Sequence, residues 1–119
     1  MLKKKNRLVS DYEFNKVYRL GENHKSLSFD IFYLDVRDYD GPSKIGIVVS
    51  NKFSKVAPKR NRTKRVFREA VRNNLEKIKD GFWVVIKPKE PSKDKKYEEI
   101  NEEFNKVLSK ISISRKLRG

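Results

Sequence analysis

One segment limits the possible folds more than any other. Behind Pro58, the apolar residues Phe67, Val71, Leu75 and Ile78 recur at steps of four, four and three, with Val66 and Ala70 beside them. These steps place one apolar stripe on a helix spanning residues 58–79. Pro58 suits its first turn, where a missing N–H leaves no bond unmade. Beyond Asp80-Gly81 comes an unbroken apolar run, Phe82-Trp83-Val84-Val85-Ile86, closed by Pro88. It is short enough for a strand buried on both faces. A helix feeding such a strand predicts a strand-helix-strand crossover, and that requires a layered fold with a sheet inside it.

The rest of the chain supplies the layers. Ser10-Asp11-Tyr12-Glu13 is a capping-box pattern, and Phe14, Val17 and Tyr18 follow at helical spacing up to Gly21, a C-cap. Residues 27–36 alternate, with Leu27, Phe29, Ile31 and Tyr33 on one face and Ser28, Asp30, Phe32 and Leu34 on the other. Residues 44–50 read as a second strand, and the simplest pairing is an antiparallel hairpin across the Gly41-Pro42 turn. After a polar loop at 87–94, Tyr97, Ile100, Phe104, Val107, Leu108 and Ile111 mark a last amphipathic helix, with glutamates at its start and Lys110 at its end. The order is α-β-β-α-β-α, an α+β class: a small mixed sheet with helices packed on it. The 119 residues make one domain, 1–119, with a basic arm at 1–8 and a frayed tail at 112–119.

Charge narrows the function. Thirty Lys and Arg face sixteen Asp and Glu, a formal net charge of +14. Such an excess implies a polyanionic partner, most commonly nucleic acid, whose condensed counterions are released on binding. A membrane surface is the rival, but Leu2 stands where myristoylation needs glycine, and the C-terminus lacks a prenylation cysteine. No apolar run approaches the roughly 20 residues of a bilayer span, and the basic start leads into no signal-type segment, so the expectation is a cytoplasmic protein with no membrane partner. Without cysteine there is no disulfide framework or thiolate metal site, and His24 is the sole histidine.

The charge is concentrated. Between Asn51 and Arg72 lie Lys52, Lys55, Lys59, Arg60, Arg62, Lys64, Arg65, Arg68 and Arg72 against one acid, Glu69. Arg60, Lys64, Arg68 and Arg72 stand four apart and form a slowly drifting ridge on the helix, with Arg65 beside it. Such a ridge holds cations rigidly toward phosphates. Arg60-Asn61-Arg62 lies in the first turn or so, where unpaired backbone N–H groups add to the pull on anions. One such cation alone is an ordinary solvated charge; the cluster together reads as a nucleic-acid contact.

Here the sequence resembles a known family. Lys59-Arg60-Asn61-Arg62-Thr63-Lys64-Arg65-Val66-Phe67-Arg68-Glu69-Ala70-Val71-Arg72 is similar to the Arg-Asn-Arg signature of the bacterial ribonuclease P protein component. Upstream, Gly46-Ile47-Val48-Val49-Ser50-Asn51-Lys52 resembles the end of the family's strand, with Asn51 where a lysine is usual. Asn6-Arg7-Leu8 with Asp11, Phe14, Val17 and Tyr18 resembles its opening. The resemblance implies a four-stranded sheet with a left-handed crossover; the fourth strand has no clear place in the sequence.

It also implies a role. The family's catalyst is a large RNA, which the protein assists in Mg²⁺-dependent removal of the 5′ leader from precursor tRNA, in a one-to-one complex with no small-molecule substrate. Mg²⁺ would be held mainly by the RNA. By position, Arg60, Asn61, Arg62, Lys64, Arg65 and Arg68 would contact the catalytic RNA, with Lys52, Lys55, Lys59 and Arg72 adjoining. Phe14, Tyr18 and Phe32 would line the cleft for the single-stranded leader. The residues themselves allow this: aromatic rings stack on unpaired bases without reading sequence. Their other reading is core packing, which weighs evenly for Phe14; the hydroxyl of Tyr18 and the polar neighbours of Phe32 favour a wet edge. The competing function is a generic RNA-binding ribosomal or assembly protein.

No protein catalytic site is expected. Asp35, Asp38 and Asp40 form the nearest carboxylate cluster but flank a Gly-Pro turn, where aspartate serves conformation. His24 reads as exposed loop, and no phosphate-binding glycine loop is present.

Overall fold

A computed structural model of the chain describes residues 4–36 and 42–111. Helix α1 (Asp11–Leu20) starts on the expected capping box: Ser10 Oγ accepts the Glu13 N–H at 3.2 Å, and Glu13 accepts the N–H groups of Ser10 and Val9 at 3.1 Å each. It closes at Gly21, whose N–H donates to the Val17 carbonyl at 2.9 Å. The turn expected at 38–42 and the tail at 112–119 fall mostly or wholly outside the described residues.

Four strands follow: β1 (Glu22–Lys25), β2 (Phe29–Asp35), β3 (Lys44–Ile47) and β4 (Phe82–Pro88), in the order β1-β2-β4-β3. The expected hairpin is therefore corrected. β4 lies between β2 and β3, antiparallel to the former and parallel to the latter. The reason is burial. Phe82, Val84 and Ile86 face one way and Trp83 and Val85 the other, and all five are buried, so this strand has no side to give to water and takes the centre. The fourth strand is β1, a polar, largely exposed Glu-Asn-His-Lys edge that carries no apolar signature. His24 lies in it, opposite Ile31, and not in a loop. Leu27 is exposed ahead of β2 and does not join its apolar face.

The sheet separates two apolar layers. On one side, Phe29, Ile31, Tyr33, Ile45, Val84 and Ile86 pack beneath α2 (Ala57–Asn74) and α3 (Tyr97–Lys110). On the other, Trp83 and Val85 meet Leu8 and Val17, with Phe14, Phe32, Leu34 and Val48 partly buried around them. The single helix expected over 58–79 ends earlier, at Asn74, and tightens into a 3-10 turn at Leu75–Lys77. Buried Asn74 donates to the Ala70 carbonyl and to Asn101 Oδ1 of α3, both at 2.7 Å, and the tightened turn brings Ile78 into the core. Gly81, at φ 82°, then turns the chain into β4, a conformation other residues adopt only at a cost.

The basic arm is docked from Asn6 onward. Asn6 Nδ2 donates to the Ser43 carbonyl at 3.0 Å and the Leu8 N–H to the Ile45 carbonyl at 3.1 Å, covering the free edge of β3.

Two carboxylates clip this assembly. Burial pushes the Glu13 carboxyl up, but the Val9 and Ser10 amides and the Lys44 ammonium outweigh it and hold it below the ordinary 4.5. Burial likewise opposes, and Ser26, Ser28 and Lys95 more than offset, the charge of Glu103, which accepts from Ser26 Oγ at 2.5 Å and the Ser28 N–H at 2.8 Å. Both groups therefore bind protons more weakly when folded than when unfolded. The stability they contribute is present above 4.5 and is lost as pH falls through their folded values. Urea midpoints are expected to fall between about pH 6 and about pH 3, and Glu13→Gln with Glu103→Gln to flatten that dependence. An equally steep fall in the double variant would assign it to other groups.

Candidate nucleic-acid interface

Helix α2 begins against its own dipole. Val56 caps it without a side-chain hydrogen bond, no acid lies in the first turn, and Lys59 and Arg60 put positive charge where the helix already presents it. That local conflict leaves the helix end open to an external anion, as functional sites often do. Ser54 braces the entry, its Oγ accepting the Val56 N–H at 3.2 Å and its carbonyl accepting from Arg60 Nη1 at 2.8 Å.

With Thr63, Phe67, Ala70, Val71 and Asn74 turned inward, the predicted cations divide over the remaining surface. Lys64 and Arg68 are half-buried along the flank toward β3, whereas Asn61 and Arg65 are exposed. Lys52, Lys55 and Lys59 are exposed on the approach to the helix and its first turn. Arg62 lies on the other flank, its Nη1 at 3.5 Å from the Lys93 carbonyl. Arg72 differs from the rest. It pairs with Glu69 at 2.5 Å, and this hydrogen bond raises the pKa of Arg72 and lowers that of Glu69. Among the ion pairs of the described residues, no other cation of α2 has a carboxylate partner.

Arg68 also enters a cleft of about 170 Å³ with Arg7, Leu8, Phe14, Ile45, Gly46 and Ile47. The Phe14 ring lies directly over Gly46; a Cβ there would come within 2.5 Å of its Cε1 and Cζ. Glycine is needed for that close approach.

The register places the second aromatic pair on the same face. Phe32, Val85 and Gly46 are aligned across β2, β4 and β3. α1 crosses above this row, with Phe14 over Gly46 and Tyr18 against Phe32, ring centroids 5.1 Å apart and planes at 84°. Phe14 thus stands apart from the Tyr18–Phe32 pair, above a different strand. Burial raises the Tyr18 pKa, yet the residue is 37% exposed, and Lys87 Nζ lies 5.5 Å from its ring centroid. Sequence reasoning missed Lys87, although alternation with Trp83 and Val85 along β4 places it on this face. In the next row Lys25, Asp30 and Lys87 are aligned, and Lys89 pairs with Asp30 at 3.0 Å. An aromatic floor edged by cations suits an unpaired, phosphate-bearing strand.

Of the expected carboxylate cluster, Asp35 ends β2 opposite Phe82, and Asp38 and Asp40 lie outside the described residues. Among the described residues, no three His, Cys, Asp or Glu side chains come together in a way that could hold a metal ion, and no helix is long and apolar enough to cross a membrane.

Residues 2–112 match the family model described as Ribonuclease P. The chain is 35% identical over 115 residues to the ribonuclease P protein component of Pseudanabaena sp. (strain PCC 6903), covering 95% of this chain and 97% of that one. It is 36% identical over 109 residues to that of Clostridioides difficile (strain 630), covering 90% and 92%. The fold is similar to that of the Staphylococcus aureus RNase P protein, with a TM-score of 0.82 at 23% identity over 94% of this chain and 100% of that one. It is also similar to the RNase P protein from Thermotoga maritima, with a TM-score of 0.79 at 26% identity over 89% and 97%.

Proposed function

The chain belongs to the ribonuclease P protein family, with a role in tRNA processing as a subunit of ribonuclease P, and from that premise we propose how its surface serves the reaction. α2 docks on the catalytic RNA through Arg60, Asn61, Arg62, Lys64, Arg65 and Arg68, with Lys52, Lys55 and Lys59 extending the contact. Arg72 contributes less, because Glu69 already neutralises it. The leader of precursor tRNA lies along the aromatic sheet face, over Phe32 and Tyr18 toward Phe14. One observation carries this reading: Arg68 belongs both to the cationic helix and to the cleft under Phe14, so a single rigid element faces both RNAs.

The chemistry stays with the RNA. Mg²⁺, held mainly by the RNA, would supply the activated water and charge neutralisation that phosphodiester cleavage needs. The protein's part is to bind, orient and neutralise, as a monomer in a one-to-one cytoplasmic complex. A generic ribosomal or assembly protein is not favoured, since the family match covers residues 2–112.

Reconstitution tests the role. Added to a bacterial ribonuclease P RNA at low Mg²⁺, the purified chain is expected to restore precursor tRNA processing; no restoration at saturating protein would overturn the assignment. A second measurement tests the helix. Arg65→Ala is expected to weaken assembly with the catalytic RNA and to lower the salt-dependence slope by about one. An unchanged slope would place Arg65 in solvent within the complex.

A further inference from the structure

The other flank of α2 carries a second concavity. Arg62 stands about 120° around the helix from Arg68, away from the Phe14 cleft. There a cavity of about 390 Å³ is lined by Phe53, Lys59, Arg62, Thr63, Lys93 and Asp94. Its walls come from the turn before α2, the first turns of α2 itself, and the 3-10 turn Glu90–Asp94 that follows β4. Phe53 is buried, and the Lys93 ammonium sits 5.2 Å from its ring centroid, at the inner wall. Three cations thus converge on one hollow. Asp94 is the one acid among the lining residues, and it neutralises none of them: among the described ion pairs, Lys59, Arg62 and Lys93 have no carboxylate partner.

A hollow of this volume is large enough for a nucleotide-sized group. Three cations around one concavity, none of them paired with its single carboxylate, raise the local potential for phosphate, and the Thr63 hydroxyl adds a hydrogen-bonding group to the same wall. We propose that this pocket receives a phosphodiester segment of the catalytic RNA, with Lys93 as a contact in its own right, so that the RNA grips α2 from its outer face around to the 3-10 turn. This rests on the reading of α2 as the RNA-docking helix. The occupant is the catalytic RNA and not the leader, because the leader face lies across the helix, beyond Arg68. Lys93 lies outside the basic run, in a polar loop, which is why charge clustering along the sequence does not mark it.

The test compares three single-charge deletions in the full chain: Lys93→Ala, Arg65→Ala and Lys106→Ala. Lys106 is exposed on α3 and paired with Glu102, so its loss reports net charge alone. The readout is binding to a bacterial ribonuclease P RNA across a salt series, with folding checked by thermal melts. Lys93→Ala is expected to weaken binding about three- to tenfold at about 0.15 M salt and to reduce the slope by about one, as Arg65→Ala does, while Lys106→Ala changes neither. The gain in precursor tRNA binding from a longer leader should stay intact in Lys93→Ala. If Lys93→Ala behaves like Lys106→Ala while Arg65→Ala flattens the slope, the pocket is overturned and the docking helix stands. If all three leave the slope unchanged, the docking reading itself has failed. If Lys93→Ala removes the leader gain, the pocket belongs to the substrate and the proposal is wrong.

Discussion

Alanine at Phe67 is expected to lower the stability of the free protein by about 3–5 kcal/mol, a large part of the about 5–15 kcal/mol typical of a domain. Phe67 is 1% exposed, and its ring meets Phe29 edge-on with centroids 5.6 Å apart; Phe29 in turn lies 6.2 Å from Phe104. The three rings join α2, β2 and α3, so the truncation opens a void where all three elements meet. Urea denaturation monitored by circular dichroism measures it; a loss below about 1 kcal/mol would mean the neighbouring side chains collapse into the space. The effect should reach function only through folding. The catalytic RNA binds the folded chain, so saturating RNA is expected to restore processing by Phe67→Ala through mass action. It should not do so for a variant lacking a direct contact.

That distinction between folding and contact also explains how much the sequence reveals. α1 and α3 were legible because each carries its own period and end signals: Ser10 with Glu13 in one, the glutamate start and Lys110 in the other. β4 was legible as a doubly buried strand, but its neighbours were not. The hairpin reading took β2 and β3 as partners because they are adjacent in sequence, whereas the need to bury both faces of Trp83-Val84-Val85 inserts β4 between them. β1 escaped because an exposed edge strand needs only backbone pairing, which Glu22 to Lys25 provide without any apolar pattern. In the site, the basic residues were readable as a group because charge density along a helix is a local property. Their division was not: that Arg68 shares a cleft with Phe14 and that Arg62 meets Lys93 depends on which elements flank α2, whereas the Arg72–Glu69 pair, three apart on one helix, is local. Lys87, assigned to a loop, joins the aromatic face only because β4 continues to Pro88.

The aromatic face carries the second large expected effect. Lengthening the single-stranded 5′ leader from none to several nucleotides should strengthen precursor tRNA binding by the holoenzyme. Alanine at Tyr18 or Phe32 should erase most of that gain, about 1–3 kcal/mol for a stacked base. Tyr18 makes the sharper test because 37% of it is exposed, so its truncation disturbs the core little. Tyr18→Phe keeps a ring against Phe32 and should keep the gain; losing it would shift the contribution from stacking to the hydroxyl. Gly46→Val approaches the same surface from below. Its side chain collides with the Phe14 ring, 2.5 Å from where a Cβ would stand, and overpacking of this kind costs about 1–3 kcal/mol. The cleft beside Arg68 offers the displaced ring space, so this variant should lose leader-dependent binding while its assembly with the catalytic RNA stays close to normal. Adding Phe14→Ala should recover stability without recovering the leader gain, because the clash is gone and so is the ring. A leader gain that survives in Tyr18→Ala, Phe32→Ala and Gly46→Val alike would remove the strand from this face altogether, leaving α1 and β2 as scaffold for α2 alone.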